Sequence, residues 1–259
     1  MNTSNHLLSV QQISALTPHV VRVIFKSHHT FHIEANWIGP HLKLLFPKPN
    51  SQQIVFPSLN EKGKVIWQGD DRKQVRTYSV RDYDHQTNTL TVDFVIHQQG
   101  TAMNWLKQAN IGDNIGLIKL SSKTQYDESK HIVLLGDIAA MPAICYTLEH
   151  APKHQKITAI MAIHSEDDKQ NIQATTNNFD IHWLISTIDS PNQFIDILST
   201  LPINSDHKPL YFWGGMETSI VQQVRHYLKN RFTDLSGSEI QLMSYWRKGF
   251  AEGEFKHSD

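Results

Sequence analysis

The sequence predicts two domains of different class: a β domain in the N-terminal half, built as a barrel or sandwich, and an α/β domain with a parallel sheet in the C-terminal half. Three observations carry that prediction. The 259 residues are long for one core and suit two domains of roughly 120 to 130 residues each. Up to about residue 120, short apolar runs alternate with turn chemistry, whereas beyond residue 130 strand-like and helix-like stretches take turns. The charge also changes sign: residues 1–120 hold 12 Lys+Arg against 8 Asp+Glu, a balance of +4, and the remainder holds 12 against 17, a balance of −5.

Residues 20–25 place Val21, Val23 and Phe25 on one face of a strand. A second strand is expected at 41–46, ended by Pro47 and Pro49, and a third at 75–81, ahead of the turn-rich stretch 82–88. Residues 89–97 alternate cleanly, with Leu90, Val92, Phe94 and Ile96 on one face and Thr91, Asp93, Val95 and His97 on the other. A helix is expected at 102–108, capped by Thr101 after Gly100, and a further strand at 115–120 follows the turn at Gly112-Asp113. The seam falls in the polar stretch 121–130, which sets domains at 1–124 and 125–259.

The second half alternates. Residues 131–135 read as a buried strand, 142–150 as a helix, and 157–163 and 181–185 as strands. Ser190 caps a helix with Pro191 at its first position, running to about residue 201. A strand at 210–213, a long helix at 217–232 and a last strand at 240–246 complete the pattern of a parallel sheet with helices on its faces.

Composition excludes several function classes. A net charge of −1 offers no general attraction to nucleic acid or to an anionic membrane. The single cysteine, Cys145, rules out an internal disulfide, a cysteine zinc site and an iron–sulfur cluster, and fits a reduced, cytoplasmic setting. The N-terminus lacks the pattern of a signal peptide, and the most apolar stretch, 132–148, is broken by Gly136, Asp137 and Pro142. A soluble monomer is therefore expected, without membrane insertion. His28-His29 is the only adjacent histidine pair and has no accompanying ligand spacing, so no protein-bound metal is expected. Neither a Gly-x-Ser-x-Gly elbow nor a Walker loop is present, and Gly-x-Gly-x-x-Gly is also missing.

The most informative segment is Arg76-Thr77-Tyr78-Ser79-Val80-Arg81. On a strand, Arg76 and Tyr78 share one face and Thr77 and Ser79 the other, offering a cation for phosphate, a ring for stacking and hydroxyls for polar ring atoms. Further along come Val92-Asp93-Phe94-Val95-Ile96-His97 with Gly100, Gly136-Asp137 with Met141-Pro142, Trp213-Gly214-Gly215-Met216-Glu217, and Tyr245-Trp246-Arg247-Lys248-Gly249. In this order and at this spacing, from about residue 42 to residue 249, the set resembles the siderophore-interacting protein family of ferric-siderophore reductases, within the ferredoxin-reductase-like flavoproteins.

The resemblance implies a six-stranded antiparallel FAD barrel followed by a parallel-sheet nicotinamide domain. It further implies that Arg76 contacts the FAD pyrophosphate, Tyr78 lies against the isoalloxazine and Ser79 reaches its N5 edge, with Thr77 on the same strand. Asp93, Val95 and His97 would line the cofactor, while backbone N–H groups at Gly100, Thr101 and Ala102 would meet its phosphates. This loop departs from the family pattern: His97-Gln98-Gln99-Gly100-Thr101-Ala102 is about one residue short and has Thr101 where the family has proline.

Gly136, Asp137, Gly214 and Gly215 would form the nicotinamide crevice at the carboxyl ends of the parallel strands. Ile138-Ala139 stand where the family carries Glu-Thr. The loop His164-Ser165-Glu166-Asp167-Asp168 is acidic, which favours NADH over NADPH. Lys43, Lys48, Arg247 and Lys248 would hold the anionic ferric siderophore. The reaction implied takes a hydride from the nicotinamide onto FAD and delivers electrons singly to Fe(III), releasing Fe(II), with no acid–base residue required. Two alternatives remain: a flavoprotein reduced by a separate ferredoxin, and a siderophore-binding module that is not an enzyme.

Overall fold

The computed structural model describes residues 5–62, 64–185, 190–203 and 209–255. These fall into two compact units: Met1–Glu34 with Gly39–Lys123, and Ala35–Ile38 with Thr124–Asp259. The chain opens with β1 (His6–Thr17), β2 (Val20–Ser27), the two-residue β3 (Trp37–Ile38) and β4 (His41–Leu45). A small hairpin, β5 (Ser58–Leu59) with β6 (Val65–Ile66), precedes β7 (Val75–Ser79), β8 (Asp82–Asp84) and β9 (Thr89–Val95). Helix α1 (Thr101–Leu106), β10 (Asn114–Ser121) and β11 (Thr124–Gln125) follow.

In the first unit the main sheet is antiparallel in the order β7-β4-β10-β1-β2-β9-β8. It has seven strands, one more than expected, because Asp82–Asp84 pairs with β9 where the sequence shows only turn residues. Strand β1 was not foreseen either. Its apolar alternation is broken by register shifts between Val10 and Gln12 and between Ala15 and Thr17, so no period of two survives for sequence reading. Val23, Phe25, Leu42, Leu44, Leu90 and Phe94 are wholly buried and form the centre of this unit. Trp105 on α1 packs its ring 5.3 Å from Phe46 and 6.1 Å from Phe94, which anchors the helix on the core.

The second unit begins with β3 paired to β11, so a short piece of the N-terminal half is built into it. Its core elements are β12 (His131–Gly136), α2 (Met141–Glu149), β13 (Lys156–Ile163), β14 (Phe179–Ile185), α3 (Pro191–Thr200), β15 (Leu210–Glu217), α4 (Thr218–Arg231) and β16 (Ile240–Trp246). The strands lie in the order β14-β13-β12-β15-β16 and every pairing is parallel. Strand order therefore reverses between β12 and β15, and in open α/β sheets ligands bind at the carboxyl ends of such a switch point. Ser190 caps α3 through its hydroxyl, which accepts from the Asn192 amide, with Pro191 inside the first turn as expected. Among the described residues, no helix is long and apolar enough to cross a membrane, and no group of three or more His, Cys, Asp and Glu is arranged to hold a metal ion.

Candidate active site

Strand β7 carries Arg76, Thr77, Tyr78 and Ser79 at an edge of the seven-stranded sheet. The Arg76 guanidinium is fixed by carbonyls of its own turn, donating to Lys73 O at 2.8 Å and Val75 O at 2.7 Å. Its other arm donates to the Thr101 hydroxyl at 2.8 Å, which joins the Arg76 strand to the start of α1. The expected cap is corrected here. Gly100, not Thr101, occupies the capping position, with φ 140° and no side-chain cap. That backbone angle is costly for any residue with a Cβ, and a Cβ there would also meet the His97 ring at 3.1 Å. Thr101 is instead the first helical residue, and its hydroxyl serves Arg76.

Gly100, Thr101 and Ala102 thus stand beside Arg76, with the first amides of the helix lacking intrahelical acceptors. His97 is exposed at the head of this loop, and burial of its ring atoms lowers its pKa below the usual histidine value despite a hydrogen bond with the Gln99 backbone. Tyr78 is half-buried with its ring 4.6 Å from Phe94 and tilted against it. Ser79 is 7% exposed, and its hydroxyl is buried with no partner. A buried orphan hydroxyl on the same strand as an aromatic ring and an arginine tied to a helix start fits a bound FAD. The hydroxyl gains a polar ring partner and Arg76 a phosphate.

Asp93 has a different task. Its carboxylate takes both arms of Arg22 from the neighbouring strand, at 2.7 and 2.8 Å, and is 3% exposed. Its charge is matched within the sheet. Val95, at the end of β9, is half-buried.

Within the sheet, β7 is hydrogen-bonded to β4. The Lys43 ammonium donates to the Thr77 hydroxyl at 3.2 Å, in register across the two strands. On the other side of β4, Lys119 of β10 stands directly opposite Lys43. Like charges opposed on one sheet face are unfavourable, and an anion between them relieves the repulsion. Sequence reading missed Lys119, because Ile118 bulges out of the ladder and shifts the register. Lys48 is already engaged: its ammonium pairs with the buried Asp71 carboxylate.

In the second unit the strand ends at the switch point are knotted together by Asp137, which is 3% exposed. One carboxylate oxygen accepts from the Ala139 amide at 2.9 Å. The other accepts from the Glu217 amide at 3.0 Å and the Trp246 indole at 2.7 Å. Gly136, Gly214 and Gly215 are required by the unit's own packing. A Cβ on Gly214 would sit 1.8 Å from Leu135 O, one on Gly215 would sit 2.3 Å from the Tyr245 ring, and one on Gly136 would meet Ile144 at 2.7 Å.

The C-terminal motif is tied to the same place. Glu217 accepts from the Ser219 amide at 2.5 Å and from the Lys248 amide at 3.3 Å. Burial pushes the Glu217 carboxyl up, but the Ser219 hydroxyl and the surrounding amides outweigh it and hold its pKa below the usual value. The Arg247 guanidinium lies 4.2 Å over the Phe250 ring, and Arg247 and Lys248 are both exposed. The acidic loop after β13 is partly spent: Asp168 is buried and accepts from the Ser165 amide at 3.1 Å, and Glu166 pairs with Lys169 at 2.5 Å.

An antiparallel sheet in one unit and a five-stranded parallel sheet in the other give the architecture of the ferredoxin-reductase type. Solved structures share the architecture. A siderophore utilization protein from T. fusca matches with a TM-score of 0.81 at 25% identity, over 100% of this chain and 98% of that one. A Neisseria gonorrhoeae ferredoxin NADP+ reductase with bound FAD and NADP matches at 0.66 and 14% identity, over 95% and 100%, a likeness in fold. Residues 9–122 match the siderophore-interacting FAD-binding domain, and residues 129–249 match the siderophore-interacting protein model. Ferric vibriobactin reductase ViuB of Vibrio cholerae is 31% identical over 218 residues, 82% of this chain and 78% of that protein. The NADPH-dependent ferric-chelate reductase of Escherichia coli is 27% identical, over 92% and 91%. The chain belongs to the siderophore-interacting protein family.

Proposed function

We propose that this protein is an FAD-dependent ferric-siderophore reductase, drawing electrons from NAD(P)H and reducing Fe(III) held in an anionic siderophore. The observation that carries the reading is the adjacency of β7, β4 and β10. The strand with the flavin residues Arg76, Tyr78 and Ser79 lies beside the strand of Lys43, and Lys119 stands opposite Lys43 on the next. Bound FAD supplies the conversion that the chemistry needs, taking an electron pair from the nicotinamide and giving single electrons to iron.

The chain's own residues hold and orient. Arg76 and the amides of Gly100, Thr101 and Ala102 bind the pyrophosphate, Tyr78 lies along the ring system, and the Ser79 hydroxyl donates to its polar edge. Val95 and His97 line the cofactor, Asp93 fixes Arg22 behind it, and Thr77 orients Lys43. Lys43 and Lys119 hold the chelate's negative charge. Lys48, neutralised by Asp71, contributes least. Gly136, Asp137, Gly214 and Gly215 shape the nicotinamide crevice rather than contact the ligand through side chains. NADH is the preferred donor because the loop after β13 keeps a net acidic charge, with Glu166, Asp167 and Asp168 against Lys169. The ferrous product leaves because hard oxygen chelators hold Fe(II) less strongly.

A second reading, reduction by a separate ferredoxin, is favoured by one observation: the Tyr245 ring already fills the space over Gly215. One anaerobic assay separates the possibilities. The yellow protein is bleached with NADH, NADPH or reduced ferredoxin in parallel, then mixed with ferric siderophore and a ferrous trap. Bleaching by NADH and recolouring with trapped Fe(II) is the expected outcome. No bleaching by either nicotinamide excludes the first reading, and equal kcat/KM for NADH and NADPH removes the NADH preference. Arg76→Ala loses FAD; stoichiometric flavin in that variant refutes the role of Arg76.

A further inference from the structure

We infer that the Thr101 side chain is a positioning residue for FAD: its hydroxyl aims the Arg76 guanidinium at the pyrophosphate without cancelling its charge. This rests on the reading of Arg76 as a pyrophosphate contact, and both residues lie within the first unit.

A guanidinium carries five N–H donors. Nη1 of Arg76 donates to Lys73 O at 2.8 Å and to Val75 O at 2.7 Å. Both acceptors are within three residues of Arg76, so these bonds hold the group to its own turn and leave its aim to a third contact. That contact is the 2.8 Å bond from Nη2 to the Thr101 hydroxyl, across 25 residues of sequence. The donors left over, Nε–H and the second Nη2–H, sit on two neighbouring nitrogens of the fork, and such a pair matches two oxygens of a phosphate.

The hydroxyl is itself held in place. Thr101 opens α1, and Ala102, Met103 and Trp105 bury that helix against the core. The Asn104 amide donates to Gly100 O at 2.8 Å, which closes the first turn. A β-branched side chain has few χ1 choices on a helix, so the oxygen stays where the backbone puts it.

The kind of acceptor matters as much as its place. Arg22 and Lys48 are each matched by a buried carboxylate, Asp93 and Asp71. Arg76 is held by two carbonyls and a hydroxyl, and among the described residues no carboxylate pairs with it. Neutral acceptors fix the direction of a cation and leave its charge for an incoming anion.

The test is titration of the flavin-stripped full-length protein with FAD, with Kd read from the quenching of flavin fluorescence. Arg76→Ala raises Kd by about a hundredfold. Thr101→Val, close to threonine in shape but without the hydroxyl, raises it by about three- to tenfold. Thr101→Ser keeps an acceptor and holds Kd within about twofold of the parent. Thr101→Asp offers an acceptor that also neutralises Arg76, and it raises Kd beyond the valine variant. In the Arg76→Ala background Thr101→Val has no further effect, because the hydroxyl acts only through the guanidinium.

A Kd that moves in Arg76→Ala and stays put in Thr101→Val overturns the inference and leaves the reading of Arg76 intact. Serine as weak as valine, aspartate as tight as threonine, or additive effects in the double variant overturn it in the same way. An unchanged Kd in Arg76→Ala overturns both.

Discussion

Replacing Asp137 with asparagine separates a structural carboxylate from a ligand-binding one. Three donors converge on this buried group: the Ala139 amide at 2.9 Å, the Glu217 amide at 3.0 Å and the Trp246 indole at 2.7 Å. Asparagine has nearly the same shape but offers one acceptor oxygen and one amino group. Whichever way it turns, the amino group faces at least one N–H. Turned for least cost, it keeps Glu217 and Trp246 as neutral hydrogen bonds and gives up Ala139. Each of the three hydrogen bonds to the charged group contributes about 1.5–3 kcal/mol and each of the two neutral ones that remain about 1 kcal/mol, so the loss comes to about 2.5–7 kcal/mol. For a chain of this length that lowers the melting temperature by about 5–28 °C. Urea titration followed by tryptophan fluorescence and far-ultraviolet circular dichroism measures it. KM for NADH should rise little, because the carboxylate faces the protein. A stability loss under about 1 kcal/mol, with a large rise in KM for NADH, refutes the reasoning.

Three further outcomes are expected. Lys43→Ala and Lys119→Ala each raise KM for an anionic ferric siderophore by roughly tenfold and leave FAD content unchanged, as read by flavin absorbance; a drop in flavin would assign these lysines to the cofactor instead. Gly215→Ala destabilises by about 1–3 kcal/mol, because its Cβ would meet the Tyr245 ring, and Gly215→Ala with Tyr245→Ala recovers part of the loss in the same urea titration. Stability should also fall as pH drops through about 6.5. Burial, and then the neighbouring His29, lower the His6 pKa, so the unfolded chain takes up this proton before the native one does. His6→Asn flattens that slope between pH 7.5 and 5.5, and an unchanged slope would remove His6 as its source.

How much of this was legible in the sequence depended on whether the governing contacts are local. Residues 89–97 alternate without interruption, and the structure holds β9 over most of that span. Arg76, Tyr78 and Ser79 stood out because a strand sorts neighbours onto two faces, and a short motif carries that sorting within itself. Strand β1 was hidden by two register shifts, and β8 by its three-residue length. Lys119 lay on a foreseen strand, yet its opposition to Lys43 is a matter of register across a bulge, which no residue of either strand announces.

The glycines show the sharper limit. Gly214 and Gly215 were visible as positions where something comes close, and the sequence reading assigned that approach to a ligand. In the structure, a Cβ at these positions would meet Leu135 and the Tyr245 ring, so packing alone already requires both glycines. Asp137 and Trp246 are 109 residues apart, so no spacing rule connects them, although their hydrogen bond holds the C-terminal motif at the switch point. A motif states which groups are available for chemistry. Which of them are already committed to the fold, as Asp93 is to Arg22 and Lys48 to Asp71, is decided by partners far away in the chain. Lys43, held only by a neutral hydroxyl, and Lys119 opposite it show no carboxylate partner among the described residues, and are therefore the cations on which substrate charge should act most strongly.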